Sequence, residues 1–92
     1  MIGSRSGWLA IVLSAAPLAA QAQVAPAPSE IAVYTGLHAA AQRGDVAAIE
    51  RLAQASRAAL EARDGQGRTP LHVATFARQR SAVRSLLVAG AD

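Results

Sequence analysis

Two histidines are the residues best suited to metal binding or acid–base chemistry in this 92-residue chain. His38 and His72 stand in two similar segments, and each follows a threonine at the third position after it. A zinc site takes three or four ligands, yet the chain has no Cys and offers no third ligand at a matching spacing. The repeated Thr-to-His spacing favours a structural role, in which each imidazole bonds the threonine hydroxyl and the neighbouring loop backbone. We therefore expect no metal and no cofactor.

The serines and carboxylates give no better indication of catalysis. Ser56, Ser81 and Ser85 stand outside the glycine-flanked turn that exposes a nucleophilic serine in many hydrolases. The six acidic residues include no close pair placed for general acid–base work. The sequence therefore predicts no catalytic residue and a protein that is not an enzyme.

The composition favours a small helical domain. Hydrophobic residues make up 52% of the chain and charged residues 16%, which is not the composition of a disordered protein. Because only 3% of the residues are aromatic, the core must be built from Ala, Leu, Val and Ile, which favours closely packed helices. The absence of Cys excludes a disulfide scaffold. We expect an all-α fold with one small domain at most.

Residues 1–22 have the pattern of a secretory signal peptide. Arg5 precedes an apolar run at positions 8–20, and Ala20-Gln21-Ala22 supplies the small residues that a signal peptidase reads. The run is shorter than the roughly 20 residues that a membrane-spanning helix needs. We predict cleavage after Ala22, a periplasmic or secreted protein of the Gram-negative type of export, and no membrane insertion afterwards. A retained membrane tether and a buried N-terminal helix are the alternatives.

Residues 23–33 are predicted to form a linker rich in Pro and Ala. Pro26 and Pro28 fix φ and remove backbone N–H donors. We therefore expect residues 23–30 to form an extended tether rather than a helix, with the folded part beginning near Ile31.

The remainder of the chain repeats itself. Thr35-Gly36-Leu37-His38-Ala39-Ala40 is matched by Thr69-Pro70-Leu71-His72-Val73-Ala74. The offset between the two segments is about 34 residues, a period typical of a solenoid. In each unit a second stretch follows with apolar residues at spacings of three and four, and these share one helical face: Val46, Ile49, Leu52 and Ala53, then Val83, Leu86 and Leu87. Each unit is thus predicted to be two short helices followed by a loop.

Residues that begin and end helices stand at the expected places. Thr69 is a candidate N-cap, and Pro70 would occupy the first helical position, where its missing N–H costs nothing. Gly44 can end a helix in the left-handed conformation, and Asp45 can cap the next one.

The second unit resembles the ankyrin repeat. Gly67 followed by residues 68–74, RTPLHVA, is similar to the G-x-T-P-L-H-x-A signature of that family, and residues 82–92 resemble its second helix and G-A-D tail. The resemblance implies an all-α solenoid of helix-turn-helix units with finger loops. Residues 34–67 would be the first repeat and residues 68–92 a second repeat that is incomplete at its C-terminus.

The chain departs from the family pattern at several positions, among them residues 56–59, which replace the usual glycine-containing tail and add one residue. Gly36 stands where the second unit has proline, so the first helix pair should start with a looser backbone. Arg78 takes the place of the glycine between the helices, where a left-handed conformation would be strained. Arg80 stands where the family usually buries a leucine.

The resemblance also implies a function, which is non-catalytic binding of another protein. Family members bind through finger tips and the inner surface of the first helices. Carried onto this sequence, the contact positions are Gln42, Arg43, Arg63, Gly65, Gln66, Arg68, Phe76 and Ala77. Phe76 is the only aromatic residue among them, so it serves either as an anchor for the partner or as packing against the distal helix. Nucleic acid is not expected as a partner.

Positive charge is concentrated in the second unit, where Asp92 alone opposes Arg68, Arg78, Arg80 and Arg84. The alternative function is therefore a basic surface for a membrane or another anionic ligand, which would lose affinity as salt increases. A following acidic repeat could equally neutralise these arginines. Because each repeat leaves an apolar side for the next, we expect further repeats in a longer chain, with Val83, Leu86 and Leu87 facing either solvent or that neighbour.

Overall fold

The computed structural model describes residues 24–92, so the predicted signal peptide at residues 1–22 lies outside the described part. Five α-helices and one 3₁₀ helix follow one another in this part of the chain. They are α1 (Pro28–Ala32), α2 (Gly36–Arg43), α3 (Val46–Ala55), the 3₁₀ helix η1 (Arg57–Glu61), α4 (Pro70–Phe76) and α5 (Arg80–Ala89). No strand occurs in the described residues, in agreement with the expected all-α class.

Two antiparallel helical hairpins stack side by side and enclose the core. Helices α2 and α3 form the first hairpin and α4 and α5 the second; α2 packs on α4, and α3 packs on α5. The buried residues of the core are small and aliphatic, and most of them are alanines: Leu37, Ala40, Ala41, Ala48, Ile49, Ala53, Leu60, Val73, Ala74, Ala82, Leu86 and Ala91. Leu71 is partly buried against this cluster. Small side chains let the hairpins approach closely, as the composition predicted.

The turn of the first hairpin forms as the sequence predicts. Gly44 ends α2 with a φ of 72°, the left-handed conformation that suits glycine. Asp45 begins α3, and its side chain accepts a hydrogen bond of 3.1 Å from the backbone N–H of Ala48.

The second hairpin has a well-capped start and a strained turn. Thr69 caps α4, with its hydroxyl accepting the N–H of His72 at 3.4 Å, and Pro70 occupies the first turn. Arg78 lies between α4 and α5 with a φ of 57°, and it is the only non-glycine residue with positive φ in the part of the chain that the structure describes. The left-handed conformation is therefore present at this position, and it is one that L-residues rarely adopt.

The expectation of an extended tether is wrong from Pro28 onward, because α1 is a short helix that starts there. Pro28 stands in the first turn, where a fixed φ favours the helix and no N–H is needed. The carboxylate of Glu30 accepts the N–H of Ala27 at 2.9 Å and stabilises the same turn. The two prolines of this segment thus have different roles, since Pro26 lies outside the helix.

The apolar residues of α5 lie in two different environments, the core and the solvent-exposed surface. Leu86 is fully buried in the core, so the expectation that it faces away from the first hairpin is wrong. Val83 is partly buried, and Leu87 is 52% exposed. The helix presents Leu86 and Leu87 in different directions because consecutive residues are about 100° apart around a helix axis.

Candidate functional site

The loop between the hairpins, here called the finger, is residues 63–68. Asp64 organises it: its Oδ1 accepts backbone N–H groups of Gln66 at 2.8 Å and of Arg68 at 2.9 Å. The backbone closes the loop as well, since the N–H of Asp64 donates to the carbonyl of Arg68 at 3.0 Å. Gly67 has a φ of 80°, which the tight turn requires. These bonds give the finger a fixed backbone.

Arg68 is buried, so the expectation that it is an exposed contact residue on the finger is wrong. Its side chain is 2% exposed, and its Nη1 lies 3.0 Å from both Glu30 Oε2 and Asp64 Oδ2. Its Nε donates to the carbonyl of Val24 at 2.6 Å, and its Nη2 donates to that of Ala25 at 3.3 Å. A guanidinium offers five N–H donors, and here they join the finger to residues 24–30, called the N-terminal segment below.

Tyr34 completes this buried cluster. Its hydroxyl donates to Asp64 Oδ2 at 2.6 Å. Burial, together with this bond to a carboxylate, raises the pKa of Tyr34 to about 12.

The same contacts perturb the charged members of the cluster. Burial alone would raise the pKa of Asp64, but hydrogen bonds from Tyr34, from the backbone and from Arg68 lower it well below its usual value. The hydrogen bond from Arg68 also lowers the pKa of Glu30. Burial would lower the pKa of Arg68, yet its two carboxylate partners raise it. The two carboxylates and the guanidinium are thus ionised across the neutral range, whereas the phenol of Tyr34 stays protonated.

The two histidines have different partners although they occupy equivalent positions. His72 bonds its own turn as predicted: its Nδ1 accepts the N–H of Thr69 at 3.0 Å and lies 3.1 Å from the threonine hydroxyl. His38 instead places its Nε2 2.8 Å from the carbonyl of Arg68 in the finger. The predicted bond to neighbouring loop backbone is therefore present at His38, but the predicted bond to Thr35 is not. The side chain of Thr35 makes no capping hydrogen bond, and Gly36 begins α2 with a φ of 54°.

Among the described residues, no group of three or more His, Asp or Glu side chains is placed to hold a metal ion.

Three finger residues that the sequence identified lie on the surface. Gly65 and Gln66 are exposed at the tip. Arg63 is exposed too, and its Nη1 donates to the carbonyl of Gly67 at 2.8 Å, so its guanidinium lies against the finger.

The helix-end residues that the sequence identified form two pairs. Gln42 is half-buried, and its carbonyl accepts the side-chain amide of Gln79 at 3.1 Å; Arg43 is exposed, 3.7 Å from Asp45. Phe76, at the end of α4, is 36% exposed, and Ala77 after it is half-buried.

An open cavity of about 470 Å³ lies between the finger and α2, and Arg63 and Gly65 border it. Its other walls include Tyr34, Val33 and His38, none of which sequence reasoning assigned to the site. The repeat offset could have found one of them: Tyr34 precedes Arg68 by the same interval that separates His38 from His72, and Glu30 precedes Asp64 by that interval too. The end of the predicted linker therefore stands before α2 as the finger stands before α4.

Comparison with known families agrees with this architecture. A family model described as ankyrin repeats (3 copies) matches residues 11–92, a stretch that begins inside the predicted signal peptide. No solved structure matches the chain. Within residues 24–92, no helix has the length and hydropathy needed to cross a membrane. With two stacked hairpins, a Thr-Pro-Leu-His turn and a family match over most of its length, the chain belongs to the ankyrin-repeat family.

Proposed function

We propose that this ankyrin-repeat chain binds another protein non-covalently, through the finger tip and the ends of the two first helices, α2 and α4. Ankyrin repeats are in general protein–protein interaction modules. The contact set is the one carried over from the family, without the buried Arg68: Gln42, Arg43, Arg63, Gly65, Gln66, Phe76 and Ala77. The role of this contact set is binding rather than catalysis.

The observation that carries this proposal is the construction of the finger. Its tip residues Gly65 and Gln66 are exposed, while the buried guanidinium of Arg68 and the carboxylate of Asp64 fix the backbone on which they stand. A loop that is already ordered loses little conformational entropy when it binds, which favours affinity. The cavity beside the tip gives a partner side chain a place to enter.

Phe76 supplies the apolar part of the surface. Its partial exposure at the end of α4 suits an anchor residue, since aromatic side chains bury a large area at interfaces. Two arginines, Arg43 on the first hairpin and Arg63 on the finger, add polar contacts at the edge.

Site-specific photo-crosslinking in living cells tests this proposal. A photoreactive amino acid placed at Gln66 should form a discrete adduct with a second protein, whereas the same amino acid at Arg51, an exposed residue of α3, should not. Identical adducts at both positions, or none at Gln66, would contradict the proposal.

We also propose that the chain is exported and that its leader is removed after Ala22. The support is the charged start, the short apolar run and the Ala-Gln-Ala site at residues 20–22. Partners would then be proteins of the periplasm or the exterior. N-terminal sequencing of the protein from cells should find Gln23 first, and an intact Met1 start would contradict the proposal.

A further inference from the structure

The second hairpin carries an apolar surface with a basic rim, here called the end face. It borders a cavity of about 750 Å³, whose apolar wall is Val83, Leu87 and Val88 and whose charged wall is Arg78, Arg80 and Arg84. Leu87 is 52% exposed and Val88 84% exposed, so a large part of this apolar surface faces water. Exposed apolar patches of this kind mark interaction surfaces.

The repeat itself shows what happens at the equivalent positions of the first hairpin. Ile49 and Ala53 precede Val83 and Leu87 by the repeat offset, and both are buried beneath the second hairpin. The end face is therefore the side of the second hairpin that is built to be covered.

The end face nevertheless differs in shape from the surface that the first hairpin offers. Gly44 lets the side chain of Gln79 come within 2.6 Å of the place where a Cβ atom would stand. The equivalent residue in the second hairpin is Arg78, and Leu87 replaces the smaller Ala53. An occupant of the end face therefore meets a guanidinium where the first hairpin has a glycine, and a larger apolar side chain where the first hairpin has an alanine.

The charge of the end face indicates the chemistry of that occupant. Of the described residues that border the cavity, none is acidic. Among residues 24–92, the guanidinium groups of Arg78, Arg80 and Arg84 take part in no salt bridge, whereas Arg43 and Arg68 do. Three unneutralised arginines around an apolar strip complement a surface in which carboxylates flank an apolar stripe.

We propose that the end face binds an amphipathic helix of a partner protein. The apolar stripe of that helix covers Val83, Leu87 and Val88, and acidic side chains beside the stripe pair with Arg78, Arg80 and Arg84. This surface is separate from the finger, so the chain has two interaction surfaces.

Two synthetic amphipathic peptides test the proposal with the full chain. Both carry the same leucine stripe and both are helical by circular dichroism, but one is flanked by Glu and the other by Lys. Calorimetry at low salt should show binding of the Glu peptide only, with affinity falling about tenfold in Arg84→Glu and again at high salt. Leu87→Ser should also weaken binding, because the stripe loses its apolar contact.

The matched control is Arg51→Glu, which makes the same charge change at an exposed position of α3 and should leave peptide affinity unchanged. Equal binding of both peptides would overturn the proposal, as would affinity insensitive to Leu87→Ser, which would indicate a general anion site. Binding to anionic lipid vesicles without binding to the Glu peptide would indicate a membrane surface instead. Self-association that Leu87→Ser abolishes would indicate a second copy of the chain. Crosslinking from Gln66 tests the finger independently, so either surface can fail without the other.

Discussion

At the scale of single residues, Arg68 shows how far a side chain can depart from the role that its position suggests. The sequence places it on the finger among variable contact positions, and the structure buries it between Glu30 and Asp64. Nothing local in the sequence reveals this burial, because its partners include Val24, far back along the chain. The hydrogen bonds of the buried Arg68 side chain tie the finger to the N-terminal segment.

Replacing Arg68 with Met should destabilise the fold strongly. Met retains the apolar stem but removes the charge, leaving the part-buried Asp64 carboxylate without its cation. Because Asp64 keeps its bonds from Tyr34 and the backbone, the expected loss of unfolding free energy is about 1–3 kcal/mol. Urea denaturation followed by circular dichroism measures it. Arg63→Met, on an exposed side chain of the same loop, should change stability by no more than about 0.5 kcal/mol; equal effects of the two variants would argue against the buried cluster.

The phenol of Tyr34 should make stability depend on alkaline pH. Its pKa is raised from 10.0 to about 12 on folding, so the folded state holds the proton more tightly than the unfolded chain does. The resulting stabilisation is complete below pH 10 and is lost as the pH rises to 12. Unfolding free energies measured between these limits should fall in the wild type and fall less in Tyr34→Phe. A parallel decline in both proteins would contradict the assignment.

We expect Phe76 to contribute more to partner binding than to stability. Because its ring is 36% exposed, Phe76→Ala should weaken capture of the partner crosslinked from Gln66 while leaving the melting temperature close to that of the wild type. Quantitative crosslinking and thermal denaturation of the same variant measure both. A large fall in melting temperature with unchanged crosslinking would show that the ring packs against the distal helix instead.

At the scale of helices and turns, the sequence predicted the hairpins well, because the rules that place their ends are local. Gly44, Asp45 and Thr69 each act within a few residues of their own position, and all three do what their types predict. Helix α1 was not predicted, because Pro28 is compatible with both an extended segment and the first turn of a helix. The cavity beside the finger was not predicted either. Its wall includes Tyr34, which directly follows the segment predicted to be a linker.

The turn at Arg78 offers a stabilising substitution. A φ of 57° places an L-residue in the left-handed region, at a cost of about 1 kcal/mol that glycine avoids. Arg78→Gly should therefore raise the unfolding free energy by about 0.5–1 kcal/mol in urea titrations. Ala77→Gly, next to it with a φ of −79°, should lower stability, because glycine there only adds freedom to the unfolded chain. Destabilisation by both would show that the turn carries no strain.

At the scale of the whole molecule, the N-terminal segment and the two hairpins form one structure rather than a tether and a domain. Val24 is the hydrogen-bond partner of Arg68 nearest the N-terminus. It directly follows Gln23, the proposed first residue of the exported protein. Signal cleavage would therefore leave every described contact in place. A chain that also lacked residues 24–30 would lose the carbonyl and carboxylate partners of the Arg68 guanidinium. The contacts within each hairpin would remain.

Because of these contacts, the effect of N-terminal shortening on stability should depend on whether residues 24–30 are kept. A chain that starts at Gln23 should keep the full contribution of Arg68, whereas a chain that starts at Ile31 lacks Val24, Ala25 and Glu30 and should be clearly less stable in urea titrations. The contributions should also be non-additive, since Arg68→Met removes the same contacts from the other side. In the chain that starts at Ile31, Arg68→Met should therefore cost less than it does in the longer chain. If the substitution costs the same in both, the finger does not depend on the N-terminal segment, and residues 24–30 are a tether after all.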